Sequence, residues 1–198
     1  FAKGVNSLVE KVKTKFFLCT QPDVNISSKS IINLKNILLK KEDAIISIPN
    51  LSYKKNFNIK RKKNYKKVKS FIGAVFLSKK KEFQKFKMFD TNFFFYWEDV
   101  DLSKRIENSN KSIYLNLNIP AKHNNSKSTN PSLKSLFIRF SNFKFGEYLF
   151  QYKNNRLRLI KMIREPIINF FLFIFYILIF QRVKALKIFF TLVGILNF

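Results

Sequence analysis

The chain is poor in the residues that staple, turn and neutralise. Among 198 residues it has one cysteine (Cys19), one histidine (His123), four glycines and five prolines, with 12 acidic side chains against 38 basic ones. A lone cysteine excludes an intramolecular disulfide and, with a single histidine, a structural zinc cluster; a reducing compartment fits. So few glycines and acids exclude a flexible linker and an acidic disordered tail. What is abundant is apolar: 46% of residues are hydrophobic and 25 are Phe, enough to bury the core of one domain. The net charge of +26 attracts polyanions, nucleic acid or an anionic membrane surface. The surplus is mostly Lys, accompanied by much Asn, Ile and Phe. An AT-rich genome encodes these residues whatever the function, so composition leaves both explanations open.

Periodicity organises the first two thirds. Val5, Leu8, Val9 and Val12 fall on one helical face, so residues 3–13 read as a helix, and Phe16 to Cys19 as the strand after it. Gln21-Pro22-Asp23 ends that strand in a turn, placing Asp23 at its C-terminal end. A helix over 28–40 carries Ile31, Leu34, Ile37 and Leu38 on one stripe. A strand over 44–48 follows, closed by Pro49-Asn50. Residues 54–69 hold nine basic side chains without an acid or a sustained period and read as a loop. A strand over 70–78 comes next, then helices over 80–86 and 99–108 and a half-buried strand through Ile113, Leu115, Leu117 and Ile119. Asn130-Pro131 opens another helix. Helices alternating with strands imply an α/β domain.

The tail differs in kind. Ile167 to Phe180 is apolar apart from Asn169 and Tyr176, and Ile188 to Phe198 resumes after Lys184 and Lys187. The first run falls short of the ~20 apolar residues that a perpendicular span needs. The pair is therefore expected to lie at an anionic membrane surface; a buried helix pair and a short tilted span are the alternatives.

Chemistry concentrates in Glu98-Asp99-Val100-Asp101, directly after the aromatic run Phe93 to Trp97. Carboxylates crowded beside aromatics can have raised pKa values and act as general bases; equally, an acid at a helix start caps free N–H groups. Asp23 at a strand end suits a hard divalent cation, although Pro-Asp turns are common. His123, in a polar run, is either a metal ligand or a solvated surface group. No phosphate-binding glycine loop, Ser/His/Asp triad or zinc signature is present; the interleaved Lys and aromatics of 54–69 suit single-stranded nucleic acid, but no RNP-like or helix-turn-helix pattern accompanies them.

In order along the chain these segments resemble the later part of a family 2 glycosyltransferase, nearest to bacterial rhamnosyltransferase-like enzymes of cell-surface polysaccharide synthesis. Residues 1–6 resemble GFAxGxN and 17–24 resemble LLLLNPDV. Gly73 to Phe76 with Phe89 to Tyr96 resemble GAxxLxRRxxFxxxGGFDExFFxY, 98–105 resemble EDVDLxxR, His123 with Ser126 or Ser128 resembles HxxxxS, and 192–197 resemble GLxDG. Gln21 stands in place of Asn, Lys87-Met88 in place of Gly-Gly, and Trp97 precedes Glu-Asp.

The resemblance implies the C-terminal part of a GT-A fold, residues 1–153 forming the metal and acceptor half and 154–198 membrane-associated helices. The family's nucleotide-binding βαβ units would precede Phe1, and the chain alone is expected to be inactive. It implies inverting transfer of a sugar, rhamnose in the nearest subfamily, from a nucleotide-sugar donor to a lipid-linked saccharide at the cytoplasmic membrane face, with no nucleic-acid partner. Asp23 and His123 would hold Mg²⁺ or Mn²⁺, Asp99 would be the base with Glu98 in support, and Trp97, Phe95, Asp101 and Gly73 would line the acceptor site. The alternative is a non-catalytic basic protein that binds membrane or nucleic acid.

Overall fold

The computed structural model describes residues 1–52, 64–123 and 132–198. Among these, seven helices accompany a six-stranded, mostly antiparallel sheet, a mixed α/β architecture. Two compact units divide the described chain: a sheet unit of Lys3–Asp90 and 99–123, and a helical unit of Phe1–Ala2, Thr91–Glu98 and 132–198.

The sheet unit holds α1 (Ala2–Lys11), β1 (Phe16–Thr20), β2 (Val24–Asn25), α2 (Ser28–Lys40), β3 (Ala44–Ser52), β4 (Tyr65–Val68), β5 (Val75–Lys79), α3 (Lys80–Lys85), α4 (Glu98–Glu107) and β6 (Ser112–His123). Strand order is β1-β5-β3-β6-β2, with β4 also paired to β6. Only β3 and β6 pair in parallel; β1 and β3 each run antiparallel to β5, so β1, β3 and β6 share one direction.

Alternation along β5 sends successive side chains to opposite faces. Leu77 joins Leu34, Ile37 and Leu38 of α2, Tyr114 and Ile119 on one face. Phe76 meets the rings of Phe17, Phe71, Phe83 and Phe89 at centroid separations of 5.2 to 5.9 Å on the other. The α2 stripe forms as its spacing requires, and Ser27 caps it, its hydroxyl accepting from the Ser30 N–H at 3.2 Å.

Three readings need correction here. Pro49-Asn50 does not close β3: the strand continues to Ser52 through a register shift at that dipeptide. Proline's missing donor is absorbed by this irregularity, and Asn50 Nδ2 donates to the Leu117 carbonyl at 3.4 Å. Residues 65–68 of the expected basic loop form β4, which pairs with β6 along its length, its end residues Tyr65 and Val68 half-buried while Lys66 and Lys67 stay exposed; 53–63 lie outside the described residues. The strand expected from Ser70 begins only at Val75, because a turn occupies Gly73-Ala74.

The helical unit contains α5 (Leu133–Lys153), α6 (Leu159–Leu178) and α7 (Arg182–Leu196). Ser132 caps α5 by accepting from the Ser135 N–H at 3.1 Å; the Asn130-Pro131 start lies outside the described residues. The division therefore does not fall at residue 153, since α5 belongs with the tail. Gly194 of α7 makes that packing possible: a Cβ there would lie 2.2 Å from the Ser141 carbonyl oxygen of α5. Helix α6 starts eight residues before the apolar run and passes through Pro166, its Asn169 Nδ2 donating to the Glu165 carbonyl at 2.8 Å. Among the described residues no helix is long and apolar enough to cross a membrane.

Candidate functional site

The shared direction of β1, β3 and β6 places their carboxyl ends together, and open α/β sheets bind ligands at that end. β1 ends at Thr20 and passes into the Gln21-Pro22-Asp23 turn, where the Val24 N–H donates to the Gln21 carbonyl at 3.1 Å. The Gln21 N–H in turn donates to the Ala74 carbonyl at 2.9 Å. One residue earlier, the Gly73 N–H donates to Asp99 Oδ2 at 2.8 Å. Two backbone links thus connect the Asp23 turn to the Asp99 carboxylate. β2 pairs antiparallel with the end of β6, Val24 opposite His123, so the backbone brings Asp23 and His123 to the same strand end.

Asp99 lies in the first turn of α4, half-buried, with Oδ1 accepting from the Val100 N–H at 2.8 Å. Burial pushes its pKa above the ordinary carboxylate value, and the N–H donors of Gly73 and Val100 oppose that rise without cancelling it. A carboxylate in a first helical turn also suits the helix dipole, so the structural role and the chemical one coincide. Gly73, expected among the acceptor residues, supplies a backbone donor to the carboxylate.

Behind Asp99 stands a set of ties. Ser103 Oγ donates to the Asp99 carbonyl at 2.6 Å and accepts from the Phe71 N–H at 3.3 Å. Asp101 is 3% exposed and pairs with Arg105 at 2.8 Å, while Arg105 also donates to the carbonyls of Phe86 and of Met88, the latter at 2.8 Å. Asp101, expected beside the acceptor, is thus a strut beneath the turn at 86–88. Lys87 and Met88 have φ of 59° and 53°. These are the positions where the resembled family has Gly-Gly, and the left-handed backbone that glycine adopts freely is formed here by other residues held from outside. Asn6 adds a further tie, donating to the Phe89 carbonyl at 2.8 Å and accepting from its N–H at 3.1 Å.

Asn6 and Arg105 are motif positions to which the sequence assigns no role, and Ser103 falls at an unspecified position of its motif. The spacing of four between Asp101 and Arg105 was the available signal for the arginine. The other two form long-range bonds that no local pattern encodes.

In the helical unit Trp97 and Phe95 face partners of their own. The Trp97 ring packs on Phe143 and Phe150 at 5.6 and 5.4 Å and over Gly146, while Phe95 lies 4.3 Å from Tyr96. Trp97, expected in the acceptor wall, also packs on α5. Glu98 is 6% exposed.

Among the described residues no group of three or more His, Cys, Asp or Glu side chains could enclose a metal. Asp23 and His123 are brought near one another by backbone pairing alone, Val24 lying opposite His123. Ser126 and Ser128 lie outside the described residues. The Cys19 thiol, pushed up to about 11 by burial, stays protonated and is no nucleophile at neutral pH. A recess of about 300 Å³ lined by Asn33, Asn36, Lys40, Asn116 and Asn118 shares no residue with Asp23, Gly73 or Asp99. No family model matches the chain, and no curated protein matches it.

Proposed function

We propose that the chain carries the metal and acceptor half of a GT-A-type, family 2 glycosyltransferase. In this reading it moves a sugar with inversion from a nucleotide-sugar donor to a lipid-linked saccharide at a membrane face. The observation that carries the reading is the joining of the Asp23 turn, the Gly73-Ala74 turn and Asp99 by successive hydrogen bonds at the carboxyl ends of the strands. Asp99 removes the proton from the acceptor hydroxyl, its basicity increased by burial and its carboxylate aimed by the Gly73 and Val100 N–H groups. Asp23 and His123 would hold a divalent cation, whose chemistry is to neutralise the diphosphate leaving group. Glu98 supports the base from the preceding position.

Sugar transfer by the full-length protein from nucleotide donors to extracted lipid-linked acceptor tests this. Asp99→Asn should reduce transfer ~100-fold or more with helix content and melting temperature retained. Unchanged transfer would overturn the reading in favour of a non-catalytic basic binding protein.

A further inference from the structure

Helix α6 is built inside out. A helix packed on neighbours in water turns its apolar stripe inward and its charges outward. Along α6 the less exposed stripe is Lys161, Glu165, Asn169, Phe173 and Tyr176, and its first three members are polar. They are tied to α5: Lys144 pairs with Glu165 at 2.7 Å and with Glu147 at 2.9 Å, Lys161 pairs with Glu147, and the Tyr148 hydroxyl donates to Glu165 at 3.1 Å. Burial pushes the Glu147 carboxyl up, but the hydrogen bonds from Lys161 and Lys144 outweigh it and leave its pKa lowered. The opposite side is apolar along its whole length. Ile160, Ile163, Ile167, Phe171, Ile174 and Leu178 recur at helical spacing and are 68%, 58%, 51%, 63%, 37% and 69% exposed. No residue of α6 is buried.

Charge identifies what covers that side. Residues 132–198 carry eleven basic and two acidic side chains, and both acids, Glu147 and Glu165, are held by Lys144 and Lys161. Exposed Arg158, Arg164, Arg182 and Lys184 border the apolar face, and among the described residues none of them forms an ion pair; Glu165, next to Arg164 in the chain, is held by Lys144 and Lys161. A second copy would bring two such surpluses together, whereas anionic headgroups neutralise them.

We propose that α6 lies in the plane of an anionic bilayer interface. The side from Ile160 to Leu178 sits among acyl chains, and Arg158, Arg164 and Arg182 reach headgroup phosphates. The ion network on α5 is then the dry-side anchor that fixes the helix's rotation about its axis. This placement does not rest on sugar transfer: vesicle binding reads it whatever Asp99→Asn does.

The 198-residue chain, mixed with phosphatidylcholine vesicles containing about a third phosphatidylglycerol, should co-sediment ~10-fold more strongly than with phosphatidylcholine alone, and less as salt rises. Ile167→Glu with Phe171→Glu, at exposed positions where folding is unaffected, should weaken binding to both vesicles at least ~10-fold. A nitroxide at position 171 (Phe171→Cys in a Cys19→Ser background) should become accessible to oxygen and shielded from a polar relaxant on vesicle addition, while one at Phe173→Cys changes little. Vesicle binding unaltered by the double substitution would overturn the proposal. So would a 171 label that stays open to the polar relaxant, or a chain that ignores vesicles and dimerises through α6.

Discussion

The two units of this chain use phenylalanine in opposite ways. In the sheet unit Phe76 is 0% exposed and ringed by four other phenylalanines, and charged groups other than the buried Asp101–Arg105 pair sit toward the margins, as in the Lys67–Asp43 pair at 2.7 Å. In the helical unit Phe171 is 63% exposed while Glu147, Glu165, Lys144 and Lys161 lie between helices. Hydrophobic burial orders the first; in the second, ionic and polar ties to α5 join the packing of α6 on α7, where Phe173 lies 5.5 Å from Phe189. The difference teaches that composition does not name the solvent, whereas the direction in which each stripe faces does.

The contrast can be broken at its strongest point first. Phe76→Ala removes a fully enclosed ring and should cost ~3–5 kcal/mol in urea unfolding. Phe171→Ala, the same deletion on α6, should cost less than ~0.5 kcal/mol without vesicles. Equal costs would mean that the α6 face is covered in water, and the comparison would fail. Next, Gly194→Val forces a side chain against the Ser141 backbone, where even a Cβ would stand 2.2 Å from the carbonyl oxygen. It should destabilise the helical unit by ~3 kcal/mol, seen as early loss of helix signal on heating, with the sheet unit retained.

The smallest effect sharpens the polar side. Burial pushes Asp43 up, but hydrogen bonds from Lys67, Ser112 and Tyr114 outweigh it and hold its pKa down at about 2. A carboxyl whose folded pKa lies below its unfolded value stabilises the fold above the unfolded value and loses that contribution as pH falls through the folded one. Wild-type stability should therefore decline between pH ~4 and ~2 more than that of Asp43→Asn, measured by urea midpoints across that range.

Much of this was legible in advance. The stripe Leu34, Ile37, Leu38 gave α2 with the bounds found, and the Phe16 run gave β1, because local periodicity and burial agree there. Asp99 was marked by the crowding of acids after aromatics, and the structure gives it a raised pKa. What was missed depends on distant partners. β4 is a strand because β6 offers an edge, not because of its own pattern. Asp101 was read from its chemistry alone, yet Arg105 claims its carboxylate and spends the rest of the guanidinium on two carbonyls far back in the chain.

That guanidinium has an evolutionary consequence. A chain with four glycines builds the turn at 87–88 from Lys and Met, and each of these residues has a positive φ that costs about 1–2 kcal/mol in an L residue. The turn's mutational tolerance has thereby been exported to position 105. While Lys87 and Met88 remain, Arg105 cannot drift; glycine at both would relieve the turn, and Arg105 would then be held only by the buried Asp101 carboxylate. The three positions form one epistatic unit, in which the order of substitutions decides which lineages survive.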